Sequence, residues 1–436
     1  MPGGEAETGV NIVGALGAAD GAGQVVRQIS RALDAAGIEY ALVDETAPDP
    51  ELPFDRNLLC LNPERLPGLA GRAGPGLFTG RRSAGLWCWE ADAFPPGLAW
   101  AFEYVDEVWV YSDFVERAVS AAAPVPVERF VMPVEPEPPI RTERRTLGLP
   151  DGFVFLFVFE CLSAARKNPL GAIEAFTRAF THGEGAHLVL KTHGSERHPA
   201  AARALRDAAA AHPHVHLLDR EASEGEKNAM IAACDCYLSL HRAEGLGLTI
   251  AEAMFFGRPV ISTGWSGSLE LTNDRNSYLV DYSLRPVGAD AWPYRSIGRW
   301  AEPDLAHAST LMRKVFENPG EARALADRAA DDVRRRHSLV TAGATLARRV
   351  HTLAERAPRE LQRALPESTS QRARRLVERG PHPPRRPGGG RQALRRALLR
   401  LLRPYSAHQR EVDTELLEAI SELERRVEEL ESRARR

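Results

Sequence analysis

The stretch that most constrains this chain is residues 236–264, CYLSLHRAEGLGLTIAEAMFFGRPVISTG. It opens with a short apolar run at residues 237–240, which is typical of a buried strand. A polar turn and the sequence GLG follow, and the pattern then predicts a helix over residues 248–256. Residues 260–262 start a second strand. A strand, a glycine-rich turn, a helix and a strand in this order predict a parallel crossover and therefore an α/β fold.

Two carboxylates, Glu244 and Glu252, lie on either side of the glycine-rich turn. Glycines let backbone N–H groups approach a ligand closely, and the helix N-terminus behind them favours negative charge. Such turns also serve packing alone, because Glu244 can simply cap the helix and Glu252 can be a solvated helix residue. The residues alone therefore leave a phosphate site and an ordinary packing turn equally open.

The segment LSLHRAEGLGLTIAEAMFFGRPVISTGWSG resembles the donor-site segment of retaining glycosyltransferases of the family-4 type. The spacing of Glu244 and Glu252 matches that family's Glu-x7-Glu signature. The resemblance implies the GT-B fold, in which two Rossmann-like doubly wound domains face a cleft. It also implies that Glu244 contacts the donor sugar, that Glu252 contacts the ribose, and that backbone amides of the turn bind the sugar and the diphosphate. The residues implied to offer those amides are Gly245, Leu246, Gly247 and Leu248.

A second candidate segment, residues 163–169, carries Arg166 and Lys167 at the end of a predicted strand and beside a helix start. A helix dipole does not stabilise cations there, so a bound diphosphate would explain them, with a solvated basic loop as the alternative. FVFECLSAARKNPLGAIEAFTRAF resembles the family's first donor-domain loop. That resemblance implies that Lys167 binds the diphosphate, and we count Ser163 among the donor-binding residues.

The family's usual arginine in this loop is absent, since Cys161 and Leu162 stand near its place. Arg166 is the candidate substitute. We therefore assign Glu244, Lys167 and Arg166 as the catalytic residues.

The chain begins its folded part with a strand, a glycine-containing loop and a helix within residues 10–36. Its glycines do not follow the G-x-G-x-x-G pattern, and no acidic residue is clearly placed for a ribose, so a dinucleotide site is a poor interpretation. GALGAADGAGQVVRQISRALDAAGI resembles the first loop of many such transferases, which lies at the cleft between the domains. The resemblance implies that the loop from Gly17 to Gly23 faces acceptor or donor phosphate.

The predicted fourth strand, residues 85–90, contains Trp87 and Trp89 on one face and ends at Glu90. Both tryptophans are expected in the core, because both faces of a parallel sheet are buried. Ligands bind beyond the carboxyl ends of strands in open α/β sheets, which favours Glu90 as a residue of the acceptor cleft. The segments WCWEADAFP and VDEVWVYSDFVERAV resemble a subset of the family. Ser112, within the second segment, is predicted to cap the helix that starts at Asp113.

The 436 residues are too many for one typical domain, and we divide them into four parts. We expect an acceptor domain over residues 1–137 and a nucleotide-sugar donor domain over residues 138–356, whose last helix the family resemblance places against the first domain. Residues 357–404 are typical of a basic linker. The short amphipathic helix predicted within them is a candidate for contact with a membrane or a partner, and a plain connector helix is an equal alternative. Residues 405–436 carry an apolar pattern that predicts a short coiled coil.

Because a short isolated helix is marginal in water, residues 408–436 predict self-association or a partner helix. A net charge of −3 gives no general attraction to nucleic acid. The five cysteines lack metal-ligand spacing and are interpreted as buried small hydrophobes in a reducing compartment. The first residues, MPGGEAETG, lack a signal-peptide pattern, and no apolar run approaches the roughly 20 residues that span a bilayer. We expect a cytoplasmic enzyme, with peripheral membrane contact as an option, and no metal cofactor.

These features predict a retaining glycosyltransferase that moves a hexose from a GDP- or UDP-linked sugar to a hydroxyl of a glycan, glycolipid or glycoconjugate. Two alternatives stay open. The missing arginine favours a degenerate protein that binds nucleotide sugar and serves as a scaffold through its coiled coil. A nucleotide-sugar epimerase of related fold is the other, although the Glu-x7-Glu segment and the loop at Lys167 favour transfer.

Overall fold

The structure, a computed structural model, describes residues 9–16, 21–48, 52–288, 291, 294 and 297–355. Within these residues the chain forms two six-stranded parallel sheets with helices packed against them. Gly17, the basic linker and the expected coiled coil lie outside the described residues, so the assignments made for them stay predictions. None of the described helices has the length and the apolar character that crossing a membrane requires.

The first sheet is formed by the N-terminal part of the chain. Its strands are β1 (Gly9–Gly14), β2 (Glu39–Asp44), β3 (Arg56–Cys60), β4 (Arg82–Leu86), β5 (Glu107–Val110) and β6 (Val127–Arg129). Its helices are α1 (Gly21–Ala36), α2 (Leu66–Ala73) and α3 (Asp113–Ser120). The strand order is β2-β1-β3-β4-β5-β6, with every pair parallel. β1 and β3 are buried along their whole length, as expected for central strands of a sheet that is covered on both faces.

The fourth strand is shorter than its sequence predicts. β4 ends at Leu86, and Cys88 then donates its N–H to the side chain of Asn62 (2.8 Å) instead of to a neighbouring strand. The two tryptophans of this segment are buried, as expected. Glu90 therefore lies beyond the strand, in the loop at the carboxyl edge of the sheet.

The sixth strand is also short. The sequence predicts a strand at the start of residues 125–137, and only the three residues of β6 pair with β5. Pro133 and Pro136 follow, and a proline has no N–H to continue a ladder. The rest of the segment is an extended connector to the second sheet.

The second sheet has β7 at the point where its strand order reverses. Its strands are β7 (Phe153–Val158), β8 (Ala186–Thr192), β9 (Val215–Asp219), β10 (Cys236–Ser239), β11 (Val260–Thr263) and β12 (Tyr278–Val280). The order is β12-β11-β10-β7-β8-β9, and every pair is parallel. The chain builds outward from β7 through β8 and β9, and then returns to the other side of β7 with β10. Ligands in such sheets bind at the carboxyl ends of the strands on either side of this reversal.

The helices of the second half follow the α/β rhythm predicted from the sequence. They are α4 (Ala164–Lys167), α5 (Pro169–Ala179), α6 (Pro199–Ala210), α7 (Glu224–Ala233), α8 (Leu248–Phe255), α9 (Leu305–Glu317), α10 (Pro319–Arg336) and α11 (Leu339–Glu355). A separate antiparallel pair, β13 (Tyr282–Pro286) and β14 (Arg299–Pro303), lies between β12 and α9 in the chain. The aromatic-rich sequence of that region gave no indication of it.

The last helices return the chain to the first sheet. His337 directly follows α10. Its carbonyl accepts from the N–H of Val134 (2.8 Å), and its Nδ1 lies 2.9 Å from the carbonyl oxygen of Met132. α11 then packs along α1 and against β3 and β4. The prediction that the last of these helices braces the first domain is therefore confirmed.

Candidate active site

The turns that follow β7 and β10 meet at the carboxyl edge of the second sheet. The two strands are paired neighbours at the reversal of strand order. The N–H of Arg242 donates to the carbonyl of Arg166 (2.7 Å), and the Arg242 guanidinium donates to the carbonyl of Ala165 (2.5 Å). The two segments singled out by the sequence, which lie far apart in the chain, are thus joined by hydrogen bonds at the position where α/β sheets bind ligands.

A break between two helices positions Arg166 and Lys167. α4 ends at Lys167 because Asn168 adopts a left-handed conformation with a φ of 59°. The side chain of Asn168 accepts from the N–H of Gly171 (3.3 Å) and so caps α5. Both cations therefore sit in the last turn of α4, beside the turn that carries Glu244.

Glu244 lies between the two cations. Lys167 Nζ is 2.5 Å from Glu244 Oε1, and Arg166 Nη1 is 3.2 Å from Glu244 Oε2. Arg166 also donates to the carbonyl of Ala243 (2.8 Å), and its Nη2 lies 3.4 Å from Oε1 of Glu90, which belongs to the first domain. The side chains of this ion cluster are at most 14% exposed. The structure thus brings together the three residues assigned as catalytic and the one assigned to the acceptor cleft.

The members of the ion cluster shift one another's ionisation. Burial acts to raise the pKa of Glu244, but the charges of Lys167 and Arg166 outweigh it and lower this pKa to about 2. Burial raises the pKa of Glu90, and the favourable charge of Arg166 does not fully offset this effect. Burial acts against the charged form of Arg166, yet the two carboxylates raise its pKa. Glu244 is therefore held ionised, while Glu90 protonates more readily than an ordinary glutamate.

The glycine-rich turn leads into a helix start that has no side-chain cap. Gly247 is the N-cap of α8, and its φ of +92° is one that side chains other than glycine rarely adopt. Leu246 is only 3% exposed and packs in the core, so this residue offers its backbone alone. First-turn N–H groups, which begin here with Leu248, have no partner within a helix. The turn therefore has the features of an anion-binding helix N-terminus.

Two residues after β11 hold the backbone of Glu244 from both sides. The Glu244 N–H donates to Ser266 Oγ (2.8 Å), and the Glu244 carbonyl accepts from the N–H of Gly267 (2.8 Å). Ser266 has a φ of +77°, which is uncommon for serine. Backbone strain of this kind persists where surrounding contacts enforce it, often at functional sites. Sequence reasoning did not single out these two residues, although both lie in the segment quoted for the family resemblance.

Glu252 has its own set of contacts. It lies on α8, is 1% exposed, and accepts at Oε1 from Lys227 Nζ (2.7 Å) of α7 and from the Gln24 amide of α1. Lys227 also donates to Oε2 of Glu224 (2.9 Å). Among the described residues, no hydrogen bond or ion pair joins Glu252 to the ion cluster around Glu244. The sequence analysis missed Lys227 and Gln24. Lys227 is a single lysine outside any motif, and Gln24 is 228 positions from Glu252 in the chain, so neither residue has a sequence pattern that links it to Glu252.

The first domain reaches the glycine-rich turn directly. Ser112 Oγ donates to the carbonyl of Gly245 (2.7 Å) and accepts from the N–H of Val115, so the predicted helix cap is confirmed. The indole N–H of Trp300 donates to the carbonyl of Glu90 (2.8 Å). The interdomain role of Ser112 could not be read from its sequence, which indicates only the cap.

Ser163 stands apart from the ion cluster. It ends the turn Cys161–Ser163 just before α4, donates its N–H to the carbonyl of Glu160 (3.0 Å), and makes no side-chain cap to the helix. Cys161, which stands near the place of the family's arginine, is 1% exposed. All five cysteines are free thiols. Across the described ranges, no three or more His, Cys, Asp or Glu side chains are grouped so that they could hold a metal ion.

His241, which follows β10, is a buried structural residue. It is 0% exposed, and its ring nitrogens lie 3.0 Å from Ser239 Oγ and 3.1 Å from Ser268 Oγ. Burial lowers its pKa to about 4. An unfolded histidine binds a proton below pH 6.5, whereas the native residue does so only near pH 4. The free energy of unfolding should therefore fall with decreasing pH between 6.5 and 4, by up to about 3 kcal/mol from this residue.

This acid sensitivity can be measured by denaturant unfolding at pH 7.5 and pH 5. The His241→Asn variant should lose stability at pH 7.5 but show a difference between the two pH values smaller by about 2 kcal/mol. His351, an exposed residue of α11, provides the matched control, and His351→Asn should retain the full difference. An unchanged difference in His241→Asn would contradict the assignment.

The second domain matches a known family in sequence. Residues 152–286 match the family model described as glycosyl transferases group 1, a range that includes both turns of the site. No protein of curated function matches the chain. The family match favours transfer over the epimerase alternative, and it gives no support to the non-catalytic scaffold.

Solved structures match the chain across both domains. HepE (Alr3699) of Anabaena, crystallised with UDP and glucose, is 14% identical with a TM-score of 0.59, over 79% of this chain and 99% of its own. Sucrose-phosphate synthase of Thermosynechococcus elongatus is 14% identical with a TM-score of 0.59, over 79% and 98%. A glycosyltransferase of Rickettsia africae ESF-5 is 13% identical with a TM-score of 0.58, over 79% and 98%. The likeness establishes that the two sheets form the GT-B fold. The GT-B fold of the chain and the match of its residues 152–286 to glycosyl transferases group 1 together support a glycosyltransferase activity.

Proposed function

We propose that this chain is a retaining glycosyltransferase of the family-4 type. It transfers a hexose from a UDP- or GDP-linked sugar to a hydroxyl of a glycan, glycolipid or glycoconjugate. The observation that carries the proposal is the ion cluster at the strand reversal, where Lys167 and Arg166 hold Glu244 at the entrance to the glycine-rich turn. Two buried cations beside an uncapped helix start are the groups that a nucleotide diphosphate requires.

In the proposed reaction the bond between the sugar C1 and the diphosphate oxygen breaks, and the acceptor oxygen forms the new bond to C1 on the same face. Negative charge grows on the leaving oxygen in the transition state. Cations and amides that are already in place stabilise this charge without reorganising. Lys167 and Arg166 supply the charges, and the first turn of α8 supplies the amides. The acceptor proton passes to the leaving phosphate, so the reaction needs no protein nucleophile.

The three carboxylates have different proposed roles. Glu244 is ionised at neutral pH and accepts hydrogen bonds from the donor-sugar hydroxyls. Glu252 accepts from the ribose. Glu90 contacts Arg166 from the first domain, and we propose that its carboxyl binds the acceptor hydroxyl. Gly17, in the loop from Gly17 to Gly23, and Ser163, in the segment 163–169, are also proposed to bind the donor.

UDP-linked sugars are the first donors to test, since HepE was crystallised with UDP and glucose and also with UDP-glucose. Lys167 and Arg166 already neutralise charge, so we propose that no metal cofactor is needed. We also propose that the acceptor is a glycan or is lipid-linked, and that the chain acts in the cytoplasm or at the membrane periphery. Residues 408–436 are proposed to pair with a second copy or a partner helix.

The proposal is tested by incubating the full chain with UDP- and GDP-hexoses and measuring the nucleoside diphosphate released. At least one donor should be hydrolysed or transferred, and NMR should find the anomeric configuration of the product retained. Glu244→Gln should lower turnover about 100-fold, since one oriented hydrogen-bonding group often contributes that much. Glu317→Gln, at a 60% exposed position on α9, is the matched control and should keep full activity. No turnover with any donor would contradict the proposal.

A further inference from the structure

The two carboxylate oxygens of Glu252 are used very differently. Oε1 accepts from both Lys227 and Gln24, as described above. Oε2 is buried and has no hydrogen-bond partner among the described residues. A buried carboxylate oxygen without a partner is unfavourable, so its presence in a candidate donor site indicates that something else is meant to bond it. Being an acceptor only, this oxygen fits a hydroxyl donor.

Lys227 is the cation that makes this arrangement stable. Its ammonium is 2.7 Å from Glu252 Oε1 and 2.9 Å from Glu224 Oε2, and its side chain is 13% exposed. Burial acts to lower the pKa of Lys227, but the two carboxylates outweigh it and raise this pKa. Lys227 is therefore charged at neutral pH, and it fixes Glu252 through one oxygen only.

Gln24 adds a contact from the other domain. Gln24 lies in the first turn of α1, is 7% exposed, and donates its side-chain amide to the same Oε1. Both donors therefore approach one side of the carboxylate. Oε2 is left without a donor, and the two contacts that hold Oε1 come from both domains.

We infer that Lys227 and Gln24 are positioning residues that occupy Oε1 of Glu252 so that Oε2 binds the ribose hydroxyls of the donor. The consequence is selectivity for a ribonucleoside diphosphate over its deoxy counterparts. The inference rests on the proposed function, because it gives Glu252 its place in the donor site. It adds two residues that do not touch the ligand and yet decide how well its ribose is recognised.

The test is calorimetric binding of the full chain to UDP, GDP and their 2′-deoxy and 3′-deoxy forms. The wild type should bind the better of the two ribonucleotides about tenfold or more tightly than at least one deoxy form, since a hydrogen bond to a charged group is at stake. Lys227→Met should reduce this ratio to about threefold or less and leave the binding of inorganic pyrophosphate within about twofold. The affinity for pyrophosphate reports on the ion cluster around Glu244, which the Lys227→Met change leaves intact.

Matched variants separate positioning from a general loss of structure. Lys227→Arg keeps the charge and should retain most of the ratio, while Gln24→Leu should lower it a few-fold without removing a charge. Lys314→Met, at a 46% exposed lysine paired with Glu321, should change nothing. If Lys227→Met fails to fold, Gln24→Leu carries the test by itself.

The outcomes distinguish this inference from the function on which it rests. A wild type that binds UDP or GDP but accepts both deoxy forms equally well overturns the inference and leaves the transferase proposal standing. A deoxy ratio that persists in both Lys227→Met and Gln24→Leu also overturns it. A wild type that binds neither ribonucleotide overturns both proposals.

Discussion

Replacing Lys167 with alanine is expected to lower kcat by about 10²–10³-fold and to raise the donor KM. Lys167 and Arg166 are the cations that contact Glu244 within the described part of the chain, and the Lys167 ammonium would face the diphosphate as charge develops there. Loss of a preorganised charge weakens the transition state more than the ground state, so kcat should fall as well as the affinity. Steady-state kinetics with the donor found in the screen measure both constants.

Two control variants test whether the effect is specific to the charge of Lys167. Lys167→Arg keeps the positive charge and should recover part of the lost activity, because charge rather than shape is the main contribution. Lys314→Ala removes an exposed lysine from α9 and should leave both constants unchanged. Kinetic constants of Lys167→Ala equal to those of the wild type would remove Lys167 from the site.

Gly267→Ala is expected to abolish most of the activity for a steric reason. An added methyl group at Gly267 would lie 1.9 Å from the carbonyl oxygen of Gly245 and 2.7 Å from that of Glu244. Neither distance is tolerable, and both contacts are with backbone, so the segment from Glu244 to Gly245 has to move. A displacement of about 1 Å at a reacting site can lower the rate about 100-fold, and overpacking typically costs about 1–3 kcal/mol of stability.

The matched control for this variant is Gly320→Ala. Gly320 is at the start of α10 and has no atom within 4 Å of the position that the methyl group would take. Alanine is the better helix former, so this change should be neutral or slightly stabilising. Kinetics and thermal unfolding are measured together, and a Gly267→Ala enzyme with normal activity would show that the Glu244 backbone need not be held in place.

The two turns that meet in the candidate site could be singled out from sequence because each lies in a short, patterned segment. For Glu244 and its turn the residues alone left a packing turn equally open, and the family resemblance of the segment decided. Lys167 was indicated by cations that a helix start does not explain, and by a resemblance of its own loop. Parallel pairing then decides the rest, since β7 and β10 are neighbours and their loops must meet. Glu90 was assigned to the cleft from its place after a strand, and its contact with Arg166 agrees with that placement.

The residues that sequence reasoning missed all act through tertiary contacts. Lys227 and Gln24 meet at Glu252 only because α7 and α1 are brought together by the two folded domains. Ser266 depends on a strained backbone that no residue preference reveals. The end of β4 was placed too late because the segment after Leu86 keeps a strand-like alternation, while the N–H of Cys88 bonds the side chain of Asn62. Sequence patterns indicate which local element a segment favours. The contacts of Lys227 and Gln24, the backbone of Ser266 and the end of β4 depend instead on partners that are distant in the chain.

The return of α11 to α1 has a consequence for how this protein is made. The N-terminal sheet is translated first, yet the helix that covers one side of α1, β3 and β4 emerges only at the end of the described chain. Until then the face of α1 that carries Ala32 and Ala36, against which Gly343 of α11 packs, lacks the cover of that helix. A fragment cut after the first sheet should therefore bind a hydrophobic dye and aggregate. Adding residues 339–355 as a separate peptide should suppress both effects.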